Sequence, residues 1–159
     1  MKLTWDDLLI EDAGMDHAAL LEDWRWLLTG RFSVVVGTKF GDWFIERPDG
    51  RVEMLDTIEG AVRPVASSRE EFQILINTPA LREEWLLCEL VSTLHEKGIV
   101  PGPGQCYAFR IPPVLGGEAV SDNVALMDIK VWMSLGGQMH KQVQALPPGA
   151  SITGFKVVE

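Results

Sequence analysis

The sequence predicts an α+β fold, a mainly antiparallel sheet with helices packed on it. Three observations predict it. A Pro-Asp-Gly turn at residues 48 to 50 separates two runs, GDWFIE and RVEMLDT, rich in β-branched and aromatic residues. From Asp128 the apolar residues Ile129, Trp132, Leu135, Met139, Val143 and Leu146 follow one another at gaps of 3, 3, 4, 4 and 3, a helical spacing. Hairpin connections also outnumber strand–helix–strand crossovers along the chain.

The elements follow in order. Thr4 can cap a short helix over WDDLLI. Asp16 can cap a longer one over HAALLEDWRWLLT, ended by Gly30. In it Leu20, Leu21, Trp24, Leu27 and Leu28 make a buried stripe, and Trp26 falls off it. RFSVVVGT reads as a strand, and the two runs around Pro-Asp-Gly as a hairpin. AVRPVA reads as a further strand, placed at a sheet edge by Pro64, which cannot donate to a ladder. Ser68 with Glu71 has the spacing of a capping box and opens a helix over REEFQILIN. Thr78 and Pro79 open a single long helix over ALREEWLLCELVSTLHEKG, closed by Gly98. IVPGPGQ is a linker, CYAFRI a strand, and VLGGEAV a Gly-Gly turn, after which Ser121-Asp122-Asn123 break the pattern. The helix from Asp128 ends at Pro147-Pro148-Gly149, and SITGFKVV reads as a final strand. Order and length together suit one domain over residues 1–159, with residues 1–30 as a helical lead-in.

Composition narrows the function. Apolar residues make up 47% of the 159 and charged residues 23%, as in folded soluble proteins. No stretch approaches the roughly 18 uninterrupted apolar residues of a membrane span, so no membrane contact is expected. Four acids before residue 13 and no apolar core exclude a secretory signal, which makes the cytoplasm the expected location. Cys88 and Cys106 are too few for a disulfide framework and read as buried thiols. The net charge is −9, and residues 1 to 30 hold seven acids against two bases. Such a surface repels a phosphate backbone, which argues against nucleic-acid binding, and steers a basic protein toward it.

No catalytic chemistry stands out. Cys88, His95, Cys106 and His140 lack the paired spacing of a zinc site, and neither CxxC nor HExxH occurs, so no metal is expected. There is no GxSxG nucleophile elbow, and GPGQ and LGGE lack the phosphate-cradling glycine patterns, so no cofactor is expected. Trp24, Trp43, Trp85 and Trp132 read as core, whereas Trp5 beside the acidic N-terminus is a candidate binding anchor. Gly136 and Gly137 interrupt the last helix at a cost of ~1 kcal/mol each relative to alanine, which points to a close helix-on-sheet contact. His140 directly follows the buried position Met139, so it is expected to face off the core, in a polar run with Lys141, Gln142 and Gln144.

The runs WFIERPDGRVEMLDT, EEFQILI, EEWLL, GQCYAFRIPPVLGGE and GGQMHKQVQALPPG resemble one bacterial family, the C-terminal domain of immunity proteins against type VI-secreted DNase toxins. The resemblance rests on Leu55-Asp56, Cys106-Tyr107, Leu115 to Glu118, Gly137 to His140 and Leu146 to Gly149, in that order over about residues 30 to 152. It makes residues 31–159 an immunity-protein-like region. Some members carry a GAD-like domain ahead of this one, and the roughly 30 residues here are too few for it, so contacts made by that domain do not carry over. The resemblance implies binding without catalysis.

The expected function is therefore a non-enzymatic immunity-like or protein-interaction domain whose acidic surface masks a basic toxin or nuclease. The partner-binding candidates are Trp5, Asp6, Asp7, Glu11, Asp12, Glu118, Gln138 and His140. Two rivals stand beside it, a scaffold domain with a non-toxin partner and an enzyme of unrecognised type using Glu118 and His140 as an acid–base pair. The sequence specifies no oligomeric state.

Overall fold

A computed structural model describes residues 2–147. The final strand expected over SITGFKVV, and Pro148-Gly149 of the Leu146 to Gly149 turn, lie outside the described residues. The order of elements is α1 (Trp5–Leu8), α2 (His17–Leu20), β1 (Ser33–Gly37), β2 (Trp43–Glu46), β3 (Val52–Asp56), β4 (Ala61–Ala66), α3 (Arg69–Ile76), α4 (Pro79–Leu86), α5 (Cys88–Glu96), β5 (Gln105–Phe109), β6 (Val124–Asp128) and α6 (Ile129–Gln144). Strands β1 to β4 form one antiparallel sheet in sequential order, and β5 pairs antiparallel with β6 in a second, two-stranded sheet. This is the α+β architecture that the patterning predicts.

The four-stranded sheet is covered on both faces. On one side Phe44, Val52 and Met54 meet Phe72 and Ile76 of α3, Trp85 and Leu86 of α4, and Val91 and Leu94 of α5. On the other, Trp43, Ile45 and Leu55 meet Leu20, Leu21, Trp24 and Leu28 of the lead-in and Ile129, Trp132 and Met133 of α6. Alternate residues of β2 thus enter opposite cores, so Trp43, Phe44 and Ile45 are all fully buried. Strand β5 does the same, with Cys106 and Ala108 on the α6 side and Tyr107 and Phe109 on the other. The lead-in is an integral layer of this fold.

Four expectations are corrected. The helix over 17–29 is only α2 followed by a 3₁₀ turn at Glu22–Trp24, because Leu21 leaves helical geometry. The long helix from Pro79 is broken at Leu87, which stands left-handed at φ 54° and lets α5 start in a new direction. No glycine or proline marks that break. Strand β6 over VALMD was not expected; it follows a 3₁₀ turn at Ser121–Asn123. Cys88 is only half-buried, although Cys106 is fully buried. Elsewhere the local signals hold. Asp16 accepts from the Ala19 N–H and Ser68 from the Glu71 N–H. Glu71 reaches back to Ser67 rather than to Ser68. Strand β4, with Pro64, lies at the edge of its sheet.

Candidate functional site

Helix α6 explains the two glycines. Seven of its positions are buried: Ile129, Trp132, Met133, Gly136, Gly137, Met139 and His140. Such a wide arc arises because α6 touches partners on two sides, the β5–β6 pair and the lead-in. Gly137 presses on the main chain of Asp23, and a Cβ there would lie 2.6 Å from the Asp23 carbonyl carbon. At Gly136 it would lie 3.0 Å from Trp24 Cζ2. The close contact is therefore with the lead-in, not with a sheet as the sequence suggested. Two indoles fasten it: Trp24 Nε1–H donates to the Met133 carbonyl at 2.9 Å and Trp26 Nε1–H to the Gly137 carbonyl at 3.1 Å.

His140 is also corrected. It is 4% exposed, not a surface residue. Its Nε2 lies 2.9 Å from the Thr57 carbonyl oxygen. A carbonyl only accepts, so Nε2 carries the proton and donates. The ring stacks at a tilt on Trp24, 5.5 Å between centroids, and lies over Gly60, where φ is +72° and a Cβ would come within 2.6 Å of the imidazole Cγ. Burial lowers its pKa, against the opposing effects of the Thr57 bond and of Asp56.

Thr57 links His140 to a buried carboxylate. Asp42 Oδ1 accepts from the Thr57 N–H at 2.8 Å and from its hydroxyl at 2.6 Å. Thr38 Oγ1 accepts from the Asp42 N–H. Asp56 accepts from the N–H groups of Ile58 and Glu59, and its other oxygen meets Arg63 at 2.6 Å. Burial pushes the Asp42 pKa up to about 7, helped by the neighbouring Asp56 charge and opposed by the Thr57 bonds and Arg63. Thr38, Asp42, Asp56, Thr57 and His140 are the buried polar residues among those described, and they form one cluster. Sequence reading missed Asp42 and Thr57; a lone aspartate before Trp43 carries no local signal of burial. The cluster joins the β1–β2 turn, the β3–β4 turn and α6. Every named hydrogen bond in it is satisfied within the protein, which suits a structural tie.

The candidate contact residues fall in three places. Trp5, Asp6, Asp7, Glu11 and Asp12 form one acidic stretch. There Asp7 closes a capping box with Thr4, whose backbone N–H lowers the Asp7 pKa. Trp5 is 40% exposed, with the Arg82 guanidinium 4.8 Å from its ring centre. Asp12 meets His17 at 2.9 Å. Gln138 sits apart on α6, donating to Ser134, which donates to Asp23 at 2.6 Å. A groove of about 900 Å³ runs there, between Glu22, Trp26 and Lys141. Glu118 is exposed in a third place, where its carbonyl accepts from Asn123 Nδ2. Gly116 at φ +99° turns the chain before it, and a Cβ on Gly117 would collide with the Ile111 main chain. The LGGE run is thus a packed turn.

Glu118 and His140 share no contact, so the acid–base pair of the enzyme reading is not assembled. Cys106 is fully buried and its thiol is pushed up to about 12 by burial, far from a reactive thiolate. No group of three or more metal-ligating side chains occurs among the described residues. No helix among them is long and apolar enough to cross a membrane.

No curated protein matches the chain. A family match does, over a narrower span than the resemblance suggested. It takes in Cys106-Tyr107, Leu115 to Glu118 and Gly137 to His140, and leaves out Leu55-Asp56 and Leu146 to Gly149. The family that the chain resembles over residues 66–140 is the T6SS immunity protein Tdi1, C-terminal.

Proposed function

We propose that the protein is a non-enzymatic immunity protein of a type VI system, which binds a basic nuclease toxin in the cytoplasm and masks its surface. The observation that carries this reading is the family match over residues 66–140. The lead-in supports its charge aspect: Asp6, Glu11, Asp16 and Glu22 are exposed, and the whole chain has a net charge of −9. A nuclease that grips phosphates needs a basic face. An acidic protein is drawn to that face by long-range attraction, and the same charges repel DNA. In this reading Trp5 is the apolar anchor, with Asp6, Asp7, Glu11 and Asp12 around it. Gln138 and Glu118 mark outlying contacts. His140 holds α6 from behind the surface. Masking requires no catalytic residue, metal or cofactor.

The test is a pull-down of the tagged protein from its own organism's lysate at low and high salt, read by mass spectrometry. A stoichiometric basic nuclease, retained at low salt and lost at high salt, is the expected result. A nuclease held equally at both salts would sink the charge-steering element. Absence of any nuclease at either salt would sink the immunity reading.

A further inference from the structure

We infer that the groove between the α4–α5 corner and the loop ahead of β6 is a docking site for the basic protein partner, taking an aliphatic side chain of that partner with a lysine or arginine beside it. One wall is the corner itself, with Glu83, Leu87, Glu89 and Leu90. The other is the loop, with Ala119 and Val120. Between them lies an open groove of about 340 Å³. Val120 is 45% exposed, Ala119 is exposed, and Leu87 and Leu90 are half-buried. Together they make an apolar patch that the fold leaves in solvent.

Both walls are built to hold this shape. Leu87 stands left-handed at φ 54°, a costly conformation for a branched side chain, and it turns α5 away from α4. The loop is tied at several points. Asn123 Oδ1 accepts from the Ile111 N–H, and Asn123 Nδ2 donates to the carbonyls of Ile111 and Glu118. Lys97 Nζ donates to Ser121 Oγ at 2.6 Å and to Asp122 at 3.3 Å, which fastens the loop to the end of α5. The packed LGGE turn thus leads into a fixed ledge that presents Ala119 and Val120. A surface ordered beforehand loses little entropy on binding.

Charge names the occupant. Glu83 and Glu89 stand on the corner, and Glu118 is exposed on the loop. Both Glu83 oxygens lie 3.2 Å from the Glu89 N–H, which holds that carboxylate in place at the groove. The bases nearby are engaged. Lys97 meets Ser121 and Asp122, and Arg82 donates to the carbonyls of Ile76 and Asn77 and lies over the Trp5 ring. The balance is negative around an apolar floor, which complements an aliphatic residue beside a cationic one. A second copy of this chain carries −9 itself and is repelled. The family match adds a separate argument. Its span, 66–140, takes in every residue of the groove and leaves out the acidic stretch from Trp5 to Asp12. The grooves beside α6, by contrast, take part of their lining from the lead-in. The inference rests on the reading above that the partner is a basic protein.

The probe is a phage-displayed library of short random peptides, selected on the full chain. Selected peptides should pair an aliphatic residue with Lys or Arg. Bound peptide should shift the amide resonances of Leu87, Leu90 and Val120 by NMR. Val120→Lys and Glu89→Lys each change an exposed side chain, so both should keep the parent's urea midpoint and weaken peptide binding by about tenfold or more. The nuclease captured in the pull-down should likewise leave either variant about tenfold faster. Peptides that bind both variants as tightly as the parent overturn the inference. So does a selection that returns no aliphatic–basic pair, or whose peptides shift only resonances elsewhere. The resonance readout needs no variant, so a misfolded variant does not blunt the test. A nuclease held equally by the parent and both variants overturns this inference and leaves the immunity reading standing; peptides that dock in the groove with no nuclease in the pull-down do the reverse.

Discussion

Gly137→Ala sets helix propensity against packing. On an exposed helix the change stabilises by ~1 kcal/mol. Here the new methyl would lie 2.6 Å from the Asp23 carbonyl carbon, where neither main chain can swing aside as a side chain can. Moving the lead-in by about an ångström restores ordinary contact but stretches two hydrogen bonds, Trp24 to Met133 O and Trp26 to Gly137 O. Each contributes about 1 kcal/mol. The net effect of such a shift is destabilisation of about 1 kcal/mol. Full detachment would also expose Trp24, now 0% exposed, whose burial contributes roughly 4 to 6 kcal/mol at ~25 cal/mol/Å². The expected range therefore runs from about 1 kcal/mol for a shift to about 7 kcal/mol for full detachment. Urea unfolding followed by tryptophan fluorescence measures it, and detachment would show as a smaller m value. Gly136→Ala is the milder control, since its 3.0 Å neighbour is the Trp24 ring, which can give a little. A Gly137→Ala protein more stable than the parent, with an unchanged m, would refute the argument.

Asp42 and His140 predict the pH dependence. The folded Asp42 pKa of about 7 lies above its unfolded value of 3.8, so its favourable term is present at low pH and is lost as pH rises through 7, a change on the order of 4 kcal/mol. The folded His140 pKa is lowered from 6.5, so its term is present above 6.5 and is lost as pH falls below that. The two slopes oppose each other below 6.5. Asp42→Asn should therefore lose stability on acidification where the parent stays level; parallel curves from pH 5 to 8 by chemical denaturation would contradict this. Gly60→Ala should displace His140 and destabilise by about 2 kcal/mol or more, from a left-handed alanine and a broken buried bond; an imidazole Nε2–H proton still protected from exchange by NMR would count against it. Asp6→Lys with Glu11→Lys should slow toxin association at low salt and leave the dissociation rate nearly unchanged, which surface plasmon resonance would read.

What was legible in the sequence was local. Turn residues at Pro48-Asp49-Gly50, caps at Asp16 and Ser68, and the spacing from Asp128 to Val143 each decide structure within a few residues. What was missed depends on distant neighbours. His140 follows Met139 and should leave a single-stripe helix face, but α6 is held from two sides, so adjacent positions are both buried. Leu87 breaks a helix with no residue type to announce it. β6 was missed because its residues grade from buried Val124 to exposed Asp128 without a clean alternation. At the candidate site the acids of residues 6 to 12 were visible as charge, whereas Asp42 was invisible, since a carboxylate's burial is set by what folds over it.

The stacking of His140 on Gly60 carries a consequence for related sequences. Position 60 has no room for a methyl while an imidazole occupies position 140. Relatives that keep the histidine should keep the glycine, and a lineage that loses one is released from conserving the other. The two sites, 80 positions apart in the chain, should therefore drift as a linked pair.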